Sequence, residues 1–318
     1  MKIKKLICIL PFLLTLSGCN ESEEIRNKSF IKEMGADYND TQIISIRTFG
    51  NDEVVSGSGK TLFSAIEDCE GNQNKSLFPG HLEVFAVSPE NMTNNLMTLL
   101  ANNRISPSCN VLCIPENAAE FVSKNGGELT SLIESSSRSG IIVPKNISAV
   151  INDYLESDKK SAVPSIKDGK LTMAVTGENE LIGMLTEEES KGLCWLCSTV
   201  KDIYIPLETE DFTTDFYVRK SSTKIHAEQV GEKINIIVEI KINGNSQNDS
   251  IDLETIKEQT AKVISSLCSR TIAKTVTGMK ADLFGIEKSM NAARIDSNKS
   301  WEEIIPNLNF YYKIKIAE

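Results

Sequence analysis

Between Lys233 and Ile242 the chain reads Lys-Ile-Asn-Ile-Ile-Val-Glu-Ile-Lys-Ile, with Ile234, Ile236, Val238, Ile240 and Ile242 at every second position. Successive side chains of an extended chain point to opposite faces, whereas a helix brings residues three and four apart together, so this run is a strand with one buried face. One amphipathic strand cannot shield its own apolar side. It needs a sheet and a layer to cover that sheet. The cover follows in sequence, because Leu253, Ile256, Thr260, Val263, Ile264 and Leu267 fall on one face of a long helix. Phe310, Tyr312, Ile314 and Ile316 alternate again, which returns the last strand to the sheet. Upstream, Leu171 to Val175, Asp202 to Pro206, Thr213 to Arg219 and Thr223 to Glu228 are strand-like, and Asn243-Gly244 carries the signature of a tight turn. The second half is therefore α+β, a mainly antiparallel sheet with a long helix.

The first half has another rhythm. Gln42 to Thr48 is β-branched and strand-like, Thr61 to Cys69 is helical, and Leu82 to Val87 is a strand. Pro89 leads into a helix with Met92, Leu96, Leu99 and Leu100 as its apolar stripe. Val111 to Ile114 forms a short strand closed by Pro115, and Ala118 to Ser123 is helical. Strands alternating with helices give a mixed α/β layer. The 318 residues are 40% apolar, enough for about two domains of roughly 150 residues each. The best linker is the polar stretch Ser157-Asp-Lys-Lys-Ser161, followed by Pro164 and Asp168-Gly169. The expected division is an N-terminal α/β domain over 41–163 and a C-terminal α+β domain over 164–318, with a subdivision near 200–210.

The amino terminus is of a different kind. Met1-Lys-Ile-Lys-Lys-Leu6 is basic, Leu6 to Leu16 is apolar apart from Thr15, and small residues follow. These eleven apolar-run residues would cover about 16 Å as a helix, against about 30 Å of bilayer hydrocarbon. The layout predicts a secretory signal over 1–18 and not a span. Leu16-Ser17-Gly18-Cys19 resembles the bacterial lipobox, whose cysteine thiol receives a diacylglyceryl group before cleavage, so Cys19 is the expected lipidation site. Residues 19–40 then form a tether and first segment, in which Asn20 to Ser29 is polar. The net charge is −10, and loss of Lys2, Lys4 and Lys5 with the signal makes it more negative. Anionic headgroups repel such a body, which leaves membrane attachment to the anchor. The same acidity, without any run of Lys or Arg beyond short pairs, argues against nucleic-acid partners.

Several motifs invite a catalytic reading and have a plainer one. Cys194-Trp-Leu-Cys197 has redox or zinc spacing, and Cys109 and Cys113 would complete a four-thiolate set. The first pair lies in the continuous apolar run Gly192 to Cys197, where thiols act as small core residues, and a C-x-x-C with a C-x-x-x-C about eighty residues away is a weak match to a zinc site. Val54-Val-Ser-Gly-Ser-Gly-Lys-Thr61 looks like a phosphate-binding loop, yet the pattern places its first glycine where Val54 stands. A glycine turn leading from a strand into a helix is the better reading. Glu187-Glu188-Glu189 follows Thr186, and Thr186-x-x-Glu189 forms a capping box. The two histidines have no local nucleophile: His81 follows Gly80, and His226 alternates with Lys224 and Glu228 on a solvent face. No catalytic residue, cofactor or metal ligand is assigned.

The order of motifs is similar to that of the Ger(x)C lipoproteins, the C subunits of spore nutrient germinant receptors. The matching stretches are Leu-Ser-Gly-Cys19, Glu24-Ile25 leading to Met34-Gly-Ala-Asp37, Gly59-Lys-Thr-Leu-Phe-Ser-Ala-Ile66, and Gly80-His81-Leu82. They continue with Leu181 to Leu193, Ala281-Asp-Leu-Phe-Gly285, and Trp301 before the final strand. The chain departs from the family at Asn20-Glu21, where Trp-Asp is usual. The resemblance implies a non-enzymatic subunit of stacked mixed α/β domains, lipid-anchored to the outer leaflet of the inner spore membrane. It also implies two integral membrane partners, one channel-like (A) and one permease-like (B). Two other classes compete. A lipid-anchored solute-binding protein would hinge near 157–169, and an envelope hydrolase or thiol oxidoreductase would depend on His81 or Cys194.

Overall fold

The computed structural model of the chain describes residues 28–73, 75–156, 159–248, 250–295 and 299–317; the expected signal over 1–18 and Cys19 lie outside them. The first sheet contains β1 (Lys28–Asn39), β2 (Thr41–Thr48), β3 (Asn51–Gly59), β4 (Ser76–Phe78), β5 (Val84–Val87), β6 (Asn110–Cys113), β7 (Ser161–Lys167), β8 (Lys170–Thr176) and β9 (Leu181–Met184). Its spatial order is β3-β2-β1-β5-β6-β7-β8-β9, with β4 beside the start of β1. Pairing is parallel from β1 through β5 and β6 to β7, and antiparallel toward both edges.

Both faces of this sheet are buried, as the near-continuous apolar runs of its central strands require. In β5, Val84 and Ala86 face one core while Phe85 and Val87 face the other. Helices α1 (Leu62–Gly71), α2 (Met92–Leu100) and α5 (Ile147–Glu156) cover the second of these faces with Leu62, Ile66, Met92, Leu96, Leu99, Ile147 and Val150. Helices α3 (Ala118–Asn125), α4 (Leu129–Arg138) and α6 (Glu187–Leu196) lie on the other. That layer is continuous with the second sheet, whose order is β10 (Ile203–Glu208), β11 (Thr213–Val230), β12 (Lys233–Ser246) and β13 (Leu308–Ala317).

The alternating run appears as expected in β12: Ile234, Ile236, Val238, Ile240 and Ile242 are buried. Helix α7 (Leu253–Ile272) covers them with Ile256, Thr260, Ile264 and Cys268 and continues into a π-helical turn over Ala273–Gly278. Strand β13 returns to the sheet parallel to β12, and the other two pairings are antiparallel. The architecture is thus two domains, a mixed sheet with interspersed helices and then a four-stranded, mainly antiparallel sheet with a long helix. Two short helices, α8 (Ile286–Ala292) and α9 (Trp301–Ile304), lie between α7 and β13.

Four local expectations are corrected. Asn243-Gly244 does not turn the chain: Gly244 pairs with Val218 inside the ladder, and a Cβ there would stand 2.2 Å from the Tyr217 carbonyl oxygen. The turn is at Gly231, whose φ is +63°. Thr213 to Arg219 and Thr223 to Glu228 are one strand with an irregularity between Val218 and Lys220. Ser161 to Lys167 forms β7 and is not a linker. Its Pro164 is tolerated because β7 pairs with β6 only at Ser165, so the missing amide donor costs no ladder bond there. Asp168 and Gly169 make the β7–β8 turn with φ of 51° and 74°. The division between 163 and 164 consequently falls inside a strand, and β1, within the expected 19–40 segment, lies in the middle of the sheet.

Candidate functional site

The residues with the chemistry for catalysis are dispersed. His81 is exposed and stands edge-on to Phe30, with ring centroids 5.1 Å apart. His226 is exposed with Lys224 and Glu228 on the outer face of β11. Cys109 and Cys113 belong to the core beneath α2 and α5, whereas Cys194 packs in the other core. The four thiols proposed for a zinc set therefore do not converge. Among the described residues no group of three or more His, Cys, Asp or Glu is placed to hold a metal.

The six cysteines of the described body are free thiols, all buried except the half-buried Cys197. Burial pushes the Cys113, Cys194 and Cys268 thiols up to about 12 and Cys197 to about 11. A nucleophilic cysteine needs the opposite shift. At pH 8, iodoacetamide is expected to leave these six unmodified in the folded protein and to alkylate them all after unfolding, as counted by mass spectrometry. Rapid modification of native Cys194 or Cys197 would revive the redox reading. The ordinary thiol value is 9.0, and burial keeps the folded thiols protonated above it. Their contribution to stability is thus complete below about pH 9 and lost as pH rises toward about 12.

The phosphate-loop candidate is also a packing device. Gly57 and Gly59 are not in a turn but in β3, where α1 presses against the strand. A Cβ on Gly57 would lie 2.7 Å from the Ala65 carbonyl oxygen, and one on Gly59 would lie 2.6 Å from the Ala65 nitrogen. Thr61 caps α1 in a reciprocal box with Ser64. The capping box expected at Thr186 and Glu189 is present at the start of α6.

The remaining motif residues form joints between distant segments. On one face of β1 stand Glu33, Gly35 and Asp37, at the two-residue period of a strand. The Asp37 carboxylate accepts from the amides of Ala118 (2.7 Å) and Ala119 (2.8 Å) at the start of α3. Burial raises the Asp37 carboxyl above the usual carboxylate value, an effect these two amides oppose. Glu33 is fully buried and accepts from the amides of Gly127 and Leu129 at the start of α4. Between them, Gly35 lets α3 approach so closely that a Cβ would stand 2.3 Å from the Ala118 carbonyl oxygen. Arg47 on the neighbouring strand closes the joint by donating to the carbonyls of Val122 (3.0 Å) and Ser123 (2.7 Å).

A second joint ties the domains together. A Cβ on Gly192 of α6 would lie 2.3 Å from the Leu267 carbonyl oxygen of α7, and the Thr271 hydroxyl donates to the Glu189 carbonyl at 2.7 Å. Asp282, buried in the Ala281-to-Gly285 motif, accepts from the amides of Gly285 (2.9 Å) and Glu287 (2.8 Å) and so starts α8. Sequence reasoning missed these carboxylates as functional elements. The available signal was Glu-x-Gly-x-Asp on a strand, which puts two acceptors and a gap on one face.

Comparison with known proteins follows these same segments. Residues 21–168 match the family described as spore germination protein N-terminal domain, and residues 171–317 match spore germination B3/GerAC like, C-terminal. Among curated proteins, spore germination protein B3 of Bacillus subtilis (strain 168) is 22% identical over 250 residues, which are 67% of this chain and 66% of that protein. Among solved structures, the crystal structure of the GerBC protein has a TM-score of 0.61 and 18% identity, over 90% of this chain and 97% of the other. That likeness carries the fold.

Proposed function

We propose, because this chain belongs to the GerAC-like family of spore germination proteins, that it is the lipid-anchored, non-catalytic subunit of a nutrient germinant receptor. The observation that carries the reading is the succession of both family matches, in order, from residue 21 to residue 317. The family has no known catalytic activity. The residues carrying its motifs in this chain, Gly35, Asp37, Gly59, Gly192 and Asp282, are used as packing gaps and helix caps, which suits a protein whose product is an arrangement of surfaces. Among the described residues no helix is long and apolar enough to cross a membrane. Attachment in this reading comes from lipid on Cys19, at the outer leaflet of the inner spore membrane. The partners are the channel-like and permease-like integral subunits. Confinement to one surface raises their effective concentration, so weak contacts suffice for assembly.

The solute-binding alternative required a hinge near 157–169. Residues 161–167 are instead paired along their length with β8, which leaves that geometry without support.

Detergent extraction of spores followed by affinity capture of the tagged protein is expected to recover two integral membrane proteins, one of them permease-like. Mass spectrometry of the captured material reads the outcome. Recovery of the chain alone under conditions that preserve other membrane complexes would count against a receptor subunit.

A further inference from the structure

Acylation of Cys19, on which this inference rests, leaves nine residues before Lys28, the start of β1. Nine residues span at most about 30 Å when fully extended, so the end of the first domain where β1 begins stays close to the bilayer. That end carries a distinctive set of side chains. Phe30 on β1 is in register with Phe78 on β4, with ring centroids 5.6 Å apart. His81 packs edge-on against Phe30, and Phe49 at the β2–β3 turn stands 6.5 Å from His81 and is 44% exposed. The Lys28 ammonium lies 5.6 Å from the centre of the Phe78 ring.

Of these residues Lys28, Phe30 and Phe49 border a cleft of about 470 Å³ whose walls also include Lys75, Glu53 and Gln73, while Phe78 and His81 pack behind Phe30. The Gln73 side-chain nitrogen is buried there without a hydrogen-bond partner among the described residues. Aromatic rings with an amphipathic neighbour, and lysines whose stems lie along apolar surface, are the side chains that settle at headgroup level. The acidic body is repelled by an anionic surface, so a lysine-bearing aromatic end is the part best suited to meet it.

We propose that this end, centred on Phe49 and His81, rests in the headgroup layer of the membrane that holds Cys19. The anchor then retains the protein and the aromatic end orients it, presenting the rest of the body at a fixed attitude to neighbouring membrane proteins.

The full lipidated chain, reconstituted in vesicles of phosphatidylcholine and phosphatidylglycerol, tests this. Asn72→Cys on the cleft wall and Glu232→Cys beside the β11–β12 turn each receive a fluorophore, and quenching by spin-labelled lipid is compared. Stronger quenching at 72 than at 232 is expected, with loss of that excess in Phe49→Glu while the protein still floats with the vesicles. Equal quenching at the two sites overturns the proposal, as does an excess that survives Phe49→Glu, since a short tether alone would produce it. Shielding of position 72 only in membranes containing receptor proteins would assign the face to a protein and also overturn it. Failure of the unlabelled chain to float strikes instead at the lipid on Cys19.

Discussion

Replacing Cys19 with alanine is expected to transfer the protein almost completely from the membrane fraction to the soluble fraction, and to abolish nutrient-triggered germination in a host that depends on this receptor. Each buried acyl methylene contributes about 0.8 kcal/mol, so one chain holds a protein marginally and two hold it stably. The acidic body offers no comparable attraction for an anionic surface, and even the aromatic end around Phe49 adds orientation more than retention. Immunoblots of fractionated spore membranes and germination scored after nutrient addition read the two effects separately. A variant that stays in the membrane fraction would remove lipid from the account. A soluble variant with normal germination would leave the lipid in place as chemistry and remove its role.

Gly35→Val is expected to destabilise the fold by about 3 kcal/mol, at the upper end of overpacking costs, because the clash is with backbone that cannot rotate away. Its Cβ would meet the Ala118 carbonyl oxygen at 2.3 Å and the Ala119 Cα at 2.8 Å. Relief requires α3 to move off β1, which lengthens both Asp37 hydrogen bonds to the amides of Ala118 and Ala119. Gly71→Ala is the matched control. It lies at the end of α1 with no heavy atom within 4 Å of the added Cβ, where alanine gains up to about 1 kcal/mol of helix propensity. Urea unfolding of the two variants should move the midpoint in opposite directions. Similar midpoints would mean that α3 does not need the gap.

The elements of the second domain were legible because their signals are local. Alternation in β12 and β13 and the apolar face of α7 report the pitch of the chain itself, and each was found where its spacing placed it. The failures share a cause as well. Asn243-Gly244, Gly57 and Gly59 read as turns because glycine commonly supplies a positive φ. In the fold each glycine lies in a strand and serves a different need, the close passage of another segment. The Ser157-to-Ser161 stretch reads as a linker by its polarity, although Ser161 opens a strand buried between two others.

The joints were legible only in part. Glu33 and Asp37 look like ordinary polar positions on an edge, since their partners lie 81 or more residues away along the chain. The sequence by itself determined the periods, the cap at Thr186, the signal-like amino terminus and the order of family motifs. Tertiary structure decided what those motifs are for. A repeat of hydrophobicity depends on the geometry of one stretch of backbone, whereas the need for no side chain at Gly35 or Gly192 arises only when a helix from elsewhere in the chain arrives against it.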